Sequence, residues 1–173
     1  MATMKARYIP KNPGKVVGNI NNILCRSSWE VHVCRFFDLS TSVVRWGSEI
    51  LPIKYISPFD KRMHTYWPDY VVTYKHENGH EVTEIVEVKP LKETSMKYAR
   101  SDYDKQCVAL NEAKWHAASV FASSNNMTFR VITEVSIFKS NPELRKTSKK
   151  TNGTRKSKST KSTVGTTRKS RKK

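Results

Sequence analysis

The sequence predicts an α/β domain built on a mixed β-sheet, on three observations. Two stretches carry apolar residues at helical spacing, several short runs are rich in β-branched and aromatic residues, and Asn78-Gly79 separates two of those runs as a hairpin turn would. The coarse order is helix, three strands in a meander, helix, strand.

Each element follows from its local pattern. Residues 5–24 are rich in Lys, Asn, Pro and Gly and read as an extended lead-in. Trp29, Val33, Phe36 and Phe37 fall at i, i+4, i+7 and i+8, so Arg26–Leu39 is the first helix, and Ser27 with Glu30 gives it a capping-box start. Val43–Trp46 and Ile50–Ile56 are short strand candidates, and Ser57–His64 is a polar connection. Tyr66–Tyr74 is a strand, and Val82–Lys89 returns from the Asn78-Gly79 turn and stops at Pro90. A long helix around Asp102–Ser123 presents Tyr103, Cys107, Leu110, Ala113, Ala117 and Phe121 along one side. Thr128–Thr133 is the last strand.

Charge divides the chain. The 173 residues hold 32 Lys+Arg against 15 Asp+Glu, a net charge of +17. From Arg145 to Lys173 there are thirteen basic residues, twelve Ser/Thr and no acidic residue, so this stretch has almost nothing apolar to bury and is expected to be a disordered arm. The expected organisation is a lead-in over 1–24, one domain over 25–138 and a basic tail over 139–173. No run approaches the ~18 apolar residues of a membrane helix, and nothing near Met1 resembles a secretory signal, so no membrane partner is expected. Three cysteines without paired spacing argue against a disulfide scaffold. The tail points to a polyanionic partner through Arg145, Lys146, Lys149, Lys150, Arg155, Lys156 and Lys158.

His76-Glu77-Asn78-Gly79-His80 spells His-Glu-x-x-His, the pattern of a zinc protease when it lies on a helix. Asn-Gly between two β-rich runs makes a hairpin there instead, so the zinc reading is rejected. Cys25, His32 and Cys34 fit no common zinc spacing and are rejected too.

The residues left to carry chemistry are Asp69, after Pro68, and Glu87-Val88-Lys89 on the next strand. In a strand, i and i+2 share a face, so Glu87 and Lys89 point the same way. A two-residue turn at Asn78-Gly79 predicts a register in which position 69 lies roughly opposite 88, gathering two carboxylates and one ammonium at one end of a sheet. Such a pair suits Mg²⁺, which takes one or two carboxylates, keeps several waters and accepts phosphate oxygens. Glu-x-Lys alone is weak evidence: about 1.2 occurrences are expected by chance and two are present, the second being Glu112-Ala113-Lys114 in mid-helix. The conjunction with Pro68-Asp69 and an early helical Glu30 carries the weight. Simpler readings stay open. Glu30 serves equally as a cap, Glu87 and Lys89 as a solvated strand face, Asp69 as a strand start, and Glu49 and Lys114 as surface or structural residues.

Pro68-Asp69 with Glu87-Val88-Lys89 resembles the PD-(D/E)xK nuclease motif of the restriction-endonuclease-like fold, whose common core is αβββαβ. Arg7-Tyr8-Ile9-Pro10-Lys11-Asn12-Pro13, Arg26-Ser27-Ser28-Trp29-Glu30, Trp46-Gly47-Ser48-Glu49, Glu87–Thr94, Trp115 with Ala117-Ala118, and Phe129–Glu134 together resemble the head-completion nucleases of contractile-tailed phages, relatives of the TnsA-type transposon-end endonucleases. The resemblance implies a double-stranded DNA endonuclease dependent on Mg²⁺, with Mn²⁺ as the alternative. It implies action in phage head completion, after packaging and before neck or tail attachment, in the virion or the host cytoplasm, with head or neck proteins as partners. By position, Asp69 and Glu87 become metal ligands with the Val88 backbone carbonyl, Lys89 the catalytic lysine and Glu30 a helix-borne acidic residue. The tail has no counterpart in that family's core and suits DNA or capsid and portal. A non-catalytic virion protein that binds DNA ends or the neck on the same fold is the rival, and a DNA compactor acting through its tail is a third.

Overall fold

A four-stranded mixed sheet stands at the centre of the computed structural model, which describes residues 6–140. Residues 141–173, which include all seven DNA-contact candidates of the basic tail, lie outside the described residues, as do residues 1–5. The elements are β1 (Ala6–Arg7), β2 (Leu24–Cys25), α1 (Ser28–Leu39), β3 (Val43–Ser48), β4 (Ile53–Ile56), β5 (Met63–Tyr66), β6 (Tyr70–Lys75), β7 (Glu81–Val88), α2 (Asp102–Ser124), β8 (Met127–Ile132) and α3 (Glu134–Ser140), with short 3₁₀ turns between some of them. The central sheet runs β3-β6-β7-β8. Its first three strands are antiparallel, and β8 joins β7 in parallel after the α2 crossover, because parallel neighbours need a long connection. The helix–meander–helix–strand order expected from the sequence is therefore present.

Two details differ. The expected strand Tyr66–Tyr74 is broken at Trp67-Pro68-Asp69: Tyr66 ends β5, which pairs with β4 in a separate two-stranded ribbon, and Tyr70 begins β6. Pro68 has no N–H to offer a ladder, and the break falls there. The hairpin register is also one residue off the expected one, since Tyr70 faces Val86 and Lys75 faces Glu81. The cause is the turn. His76 N–H donates to His80 and Gly79 N–H to His76, closing a three-residue loop, and of its residues Gly79 alone has positive φ, at 83°. A two-residue turn would need positive φ at both central positions.

Both faces of the sheet are covered. Trp46, Tyr70, Val72 and Val86 are buried on one face, where Phe37 of α1 meets the Tyr70 ring at 5.4 Å and the Trp46 ring at 6.1 Å. On the other face, Ile85 packs in a cluster with Ala118 and Ala122 of α2 and with Ile53, Tyr55 and Tyr66 of the ribbon. The stripe buried along α2 is Asp104, Val108, Asn111, Ala118 and Ala122, about one position round from the expected stripe, and Tyr103 is exposed. Two of those buried residues are polar and satisfied: the Asp104 carboxylate accepts from Lys92 Nζ and Arg100 N–H, and the Asn111 amide donates to the Glu93 carbonyl. Apolar periodicity therefore pointed slightly off the true face.

The lead-in is tied to the domain. Asp38, fully buried in α1, accepts hydrogen bonds from Tyr8 Oη (2.9 Å), Lys11 N–H (2.7 Å) and Asn12 N–H (2.8 Å). Further along, Val17 N–H donates to Trp46 C=O at 2.8 Å, and the backbones lie so close that a Cβ on Gly47 would sit 2.8 Å from the Val17 oxygen. Among the described residues, no helix is long and apolar enough to cross a membrane.

Candidate active site

Glu87 and Ile85 share a face of β7, so Glu87 points toward α2 and the β4–β5 ribbon rather than toward α1. It lies at the end of the sheet, where an open cavity of about 460 Å³ is lined by Glu87, Asp69, Lys89, Val88, Tyr66, Trp67, Arg26, Glu30, Glu49, Glu93 and Lys114, among others. The Glu87 side chain is only 4% exposed and is held on three sides. Tyr66 Oη donates to Oε2 at 2.6 Å, Asp69 N–H donates to the same oxygen at 3.3 Å, and Lys89 Nζ stands 3.0 Å from Oε1.

Asp69 occupies the break between β5 and β6, where the ladder with β7 would otherwise continue. Its side chain takes over the ladder's role: Oδ2 accepts the Val88 N–H at 2.8 Å, while its main-chain carbonyl accepts Glu49 N–H at 3.1 Å. Among the described residues, Oδ1 has no hydrogen-bond donor. The one-residue change in register matters here. It puts position 69 in line with 87 instead of 88, which brings the two carboxylates onto one side.

The electrostatics follow from that arrangement. Burial, and then the Glu87 charge, push the Asp69 carboxyl up to about 7 against the pull of Lys89 and the Val88 N–H. Burial acts to lower the Lys89 ammonium, but Glu87 and Asp69 outweigh it and hold Lys89 above its ordinary value. Lys114 moves the other way, lowered first by burial and next by the Lys89 charge.

The sequence-derived trio Asp69, Glu87 and Lys89 is thus brought together, and Val88 lines the same cavity while giving its N–H to Asp69. Glu30 lies on the wall with both oxygens in the cap of α1: Ser27 Oγ donates to Oε1 and Arg26 N–H to Oε2, each at 2.8 Å. The capping role is therefore present, and the cavity position comes with it. Glu49, in the left-handed region at φ 51°, forms a bidentate pair with Arg26 at 2.7 and 3.2 Å across the wall.

Two residues of the site were given no role in it from the sequence. Tyr66 was read only as the start of a strand, and Lys114 as a surface or structural residue. Lys114 stands one helical turn before the buried Ala118, which places it on the sheet-facing side of α2, and its Nζ lies 5.6 Å from the Tyr66 ring centre and 5.8 Å from that of Tyr55. The i, i+4 relation to Ala118 was the available signal.

The donor set suits a divalent metal. It offers hard carboxylate oxygens, one of them without a donor, on two anions whose proximity and burial make ionisation costly until a cation arrives. Among the described residues, no group of three or more His, Cys, Asp or Glu is placed to hold a metal ion. Two carboxylates fit an ion that fills its remaining positions with water and phosphate oxygens, as Mg²⁺ does.

Comparison with known proteins agrees with the geometry. The head completion nuclease of Enterobacteria phage T4 is 28% identical over 138 residues, covering 74% of this chain and 89% of that protein. Residues 40–134, more than half of the chain and including Asp69, Glu87, Lys89 and Lys114, match the TnsA-like endonuclease N-terminal family. On that match, and with a carboxylate pair and a lysine at the end of a mixed sheet, the chain belongs to the TnsA-like endonuclease N-terminal family.

Proposed function

We propose that the protein is a metal-dependent DNA endonuclease that acts in phage head completion, after packaging and before neck or tail attachment, in the host cytoplasm or on the virion. The observation that carries this reading is the buried Glu87 shared between Lys89 Nζ and the Asp69 N–H at the floor of an open cavity. Family membership and the similarity to a head completion nuclease support it. Asp69 and Glu87 would hold the ion, Mg²⁺ in preference and Mn²⁺ as an alternative. When bound, such an ion supplies positive charge for the phosphoryl oxygens and an acidified water as nucleophile.

The chain's own residues do the rest. Tyr66 and the Asp69 N–H fix the direction of the Glu87 carboxylate. Lys89 Nζ keeps its proton because two anions face it, so it serves as a hydrogen-bond donor and charge partner rather than as a base. Glu30 and the Arg26–Glu49 pair shape the rim. We assign the basic run from Arg145 to DNA phosphates by its composition, with head or neck proteins as further partners.

Purified protein with plasmid and Mg²⁺ is expected to produce nicks or breaks that EDTA prevents. Asp69→Ala and Lys89→Ala are expected to abolish them while DNA binding persists. Variants that cleave as well as the parent would overturn the assignment, and a parent that binds but never cuts would favour a structural virion role.

A further inference from the structure

Charge accounting around the cavity leaves one cation over. Five carboxylates line it, Glu30, Glu49, Asp69, Glu87 and Glu93, against three cations, Arg26, Lys89 and Lys114. Arg26 is committed to Glu49 and Lys89 to Glu87. Lys114 has no carboxylate partner among the described residues; it lies over two aromatic rings, Tyr55 and Tyr66. Those rings hold the stem and give Nζ a face of negative quadrupole without supplying any hydrogen-bond acceptor. An ammonium left unpaired in a half-buried position is costly, and its lowered pKa reflects that cost. A wall so rich in carboxylates would also repel a DNA backbone unless something besides the metal offset it.

We propose that Lys114 is the phosphate seat of this cavity, donating from α2 to a non-bridging oxygen of the DNA backbone opposite the Asp69–Glu87 pair. This rests on the endonuclease reading and deepens it, because it assigns the substrate's phosphate a fixed contact on the wall facing the carboxylates. Tyr66 then links the two halves of the site: its hydroxyl orients Glu87 while its ring carries Lys114. Lys114 and Lys89 divide the work, one holding substrate and the other remaining with Glu87.

The test uses the full chain with Lys114→Met, which keeps an unbranched stem on the rings, and Lys114→Arg, which keeps the charge. The first measurement is equilibrium binding of a duplex oligonucleotide in EDTA at about 0.3 M salt, where non-specific attraction to the basic run from Arg145 is weakened. Lys114→Met is expected to weaken binding about tenfold, as loss of one charge-assisted hydrogen bond does, with the melting temperature held and Lys114→Arg recovering most of the affinity. The second is cleavage in Mg²⁺, where KM is expected to rise more than kcat falls. Equal binding by parent and Lys114→Met overturns the seat. So does a loss that tracks a lower melting temperature and is not rescued by Lys114→Arg, because that marks a packing role. If the parent binds without cutting, the nuclease reading fails, and the binding comparison still decides whether Lys114 holds phosphate.

Discussion

Tyr66 donates a 2.6 Å hydrogen bond to Glu87 from a strand outside the central sheet. The ribbon of β4 and β5 therefore does more than cover α2, because it sets the direction of a buried carboxylate. Burial, and then the Glu87 charge, raise the Tyr66 phenol, so it stays protonated as the donor at any working pH.

Tyr66→Phe removes this hydrogen bond and keeps the ring beneath Lys114. Cleavage is expected to fall by about ten- to a hundredfold, the usual cost of losing a group that orients a ligand. DNA affinity in EDTA should hold, because the Lys114 ring seat remains. Stability should drop by about 1–3 kcal/mol, since a charged acceptor loses a donor in a buried place. A variant with parental cleavage and a parental melting curve would show that the contact has no such role.

Asp69→Asn tests the electrostatics of the pair. Burial and Glu87 raise Asp69 from 3.8 to about 7 in the fold. Below pH 4 the carboxyl is neutral in both states and carries no penalty. Between about 4 and 7 the unfolded chain ionises first, so the metal-free protein loses stability as pH rises, and above 7 the loss is complete. Asn carries none of it and still accepts the Val88 N–H. The variant's stability advantage in EDTA should thus grow from near zero at pH 4 to on the order of 2–4 kcal/mol at pH 7.5. Added Mg²⁺ should raise the parent's melting temperature and leave the variant's unchanged. An advantage that is flat with pH would contradict the raised carboxyl.

Asp38 makes the opposite prediction. Burial acts to raise its carboxyl, but the N–H groups of Lys11 and Asn12 and the Tyr8 hydroxyl outweigh this and leave it below its ordinary value. Its stabilisation is present above the unfolded pKa and is lost as pH falls through the folded one. Asp38→Ala strands those donors and should cost about 2–4 kcal/mol by denaturant titration, with the lead-in becoming sensitive to protease. An intact lead-in at parental stability would mean that its other ties, the Val17–Trp46 hydrogen bond, the β1–β2 pairing and the Lys15 contact with the Ser40 carbonyl, are enough to hold it.

What the sequence revealed, and what it hid, follows from how local each cause is. Glu87 and Lys89 were legible because strand alternation is a two-residue rule. Asp69 was legible as a residue, but its register was not. The turn at Asn78-Gly79 holds three residues with only Gly79 left-handed, and nothing in the dipeptide separates that from the two-residue form. Asp38 gave no signal, since its partners lie 26 to 30 positions away in a stretch that reads as loop. Lys114 was obscured because Glu112-Ala113-Lys114 looked like a failed Glu-x-Lys motif. Its position is set by α2 packing on the ribbon, a tertiary fact. The α2 stripe was displaced for the same reason, because Asp104 and Asn111 are buried polar residues whose partners come from elsewhere.

The basic run can be tested through its salt dependence without removing any of the chain. Replacing Arg145, Lys146, Lys149, Lys150, Arg155, Lys156 and Lys158 by Gln takes away seven positive charges and leaves length and polarity nearly intact. Every phosphate neutralised by a Lys or Arg releases condensed counterion, so the slope of log affinity against log salt should shallow by about 0.9 for each phosphate left without its cation, up to about six if all seven engage DNA. At low salt the variant should bind far more weakly, yet at saturating DNA its kcat should match the parent's, because the cavity at Asp69, Glu87, Lys89 and Lys114 is untouched. The two quantities separate the two roles. A shallower slope with unchanged kcat makes the run an electrostatic tether for DNA. An unchanged slope means that its charge is directed at another surface, and binding to head or neck proteins is then where the loss should appear.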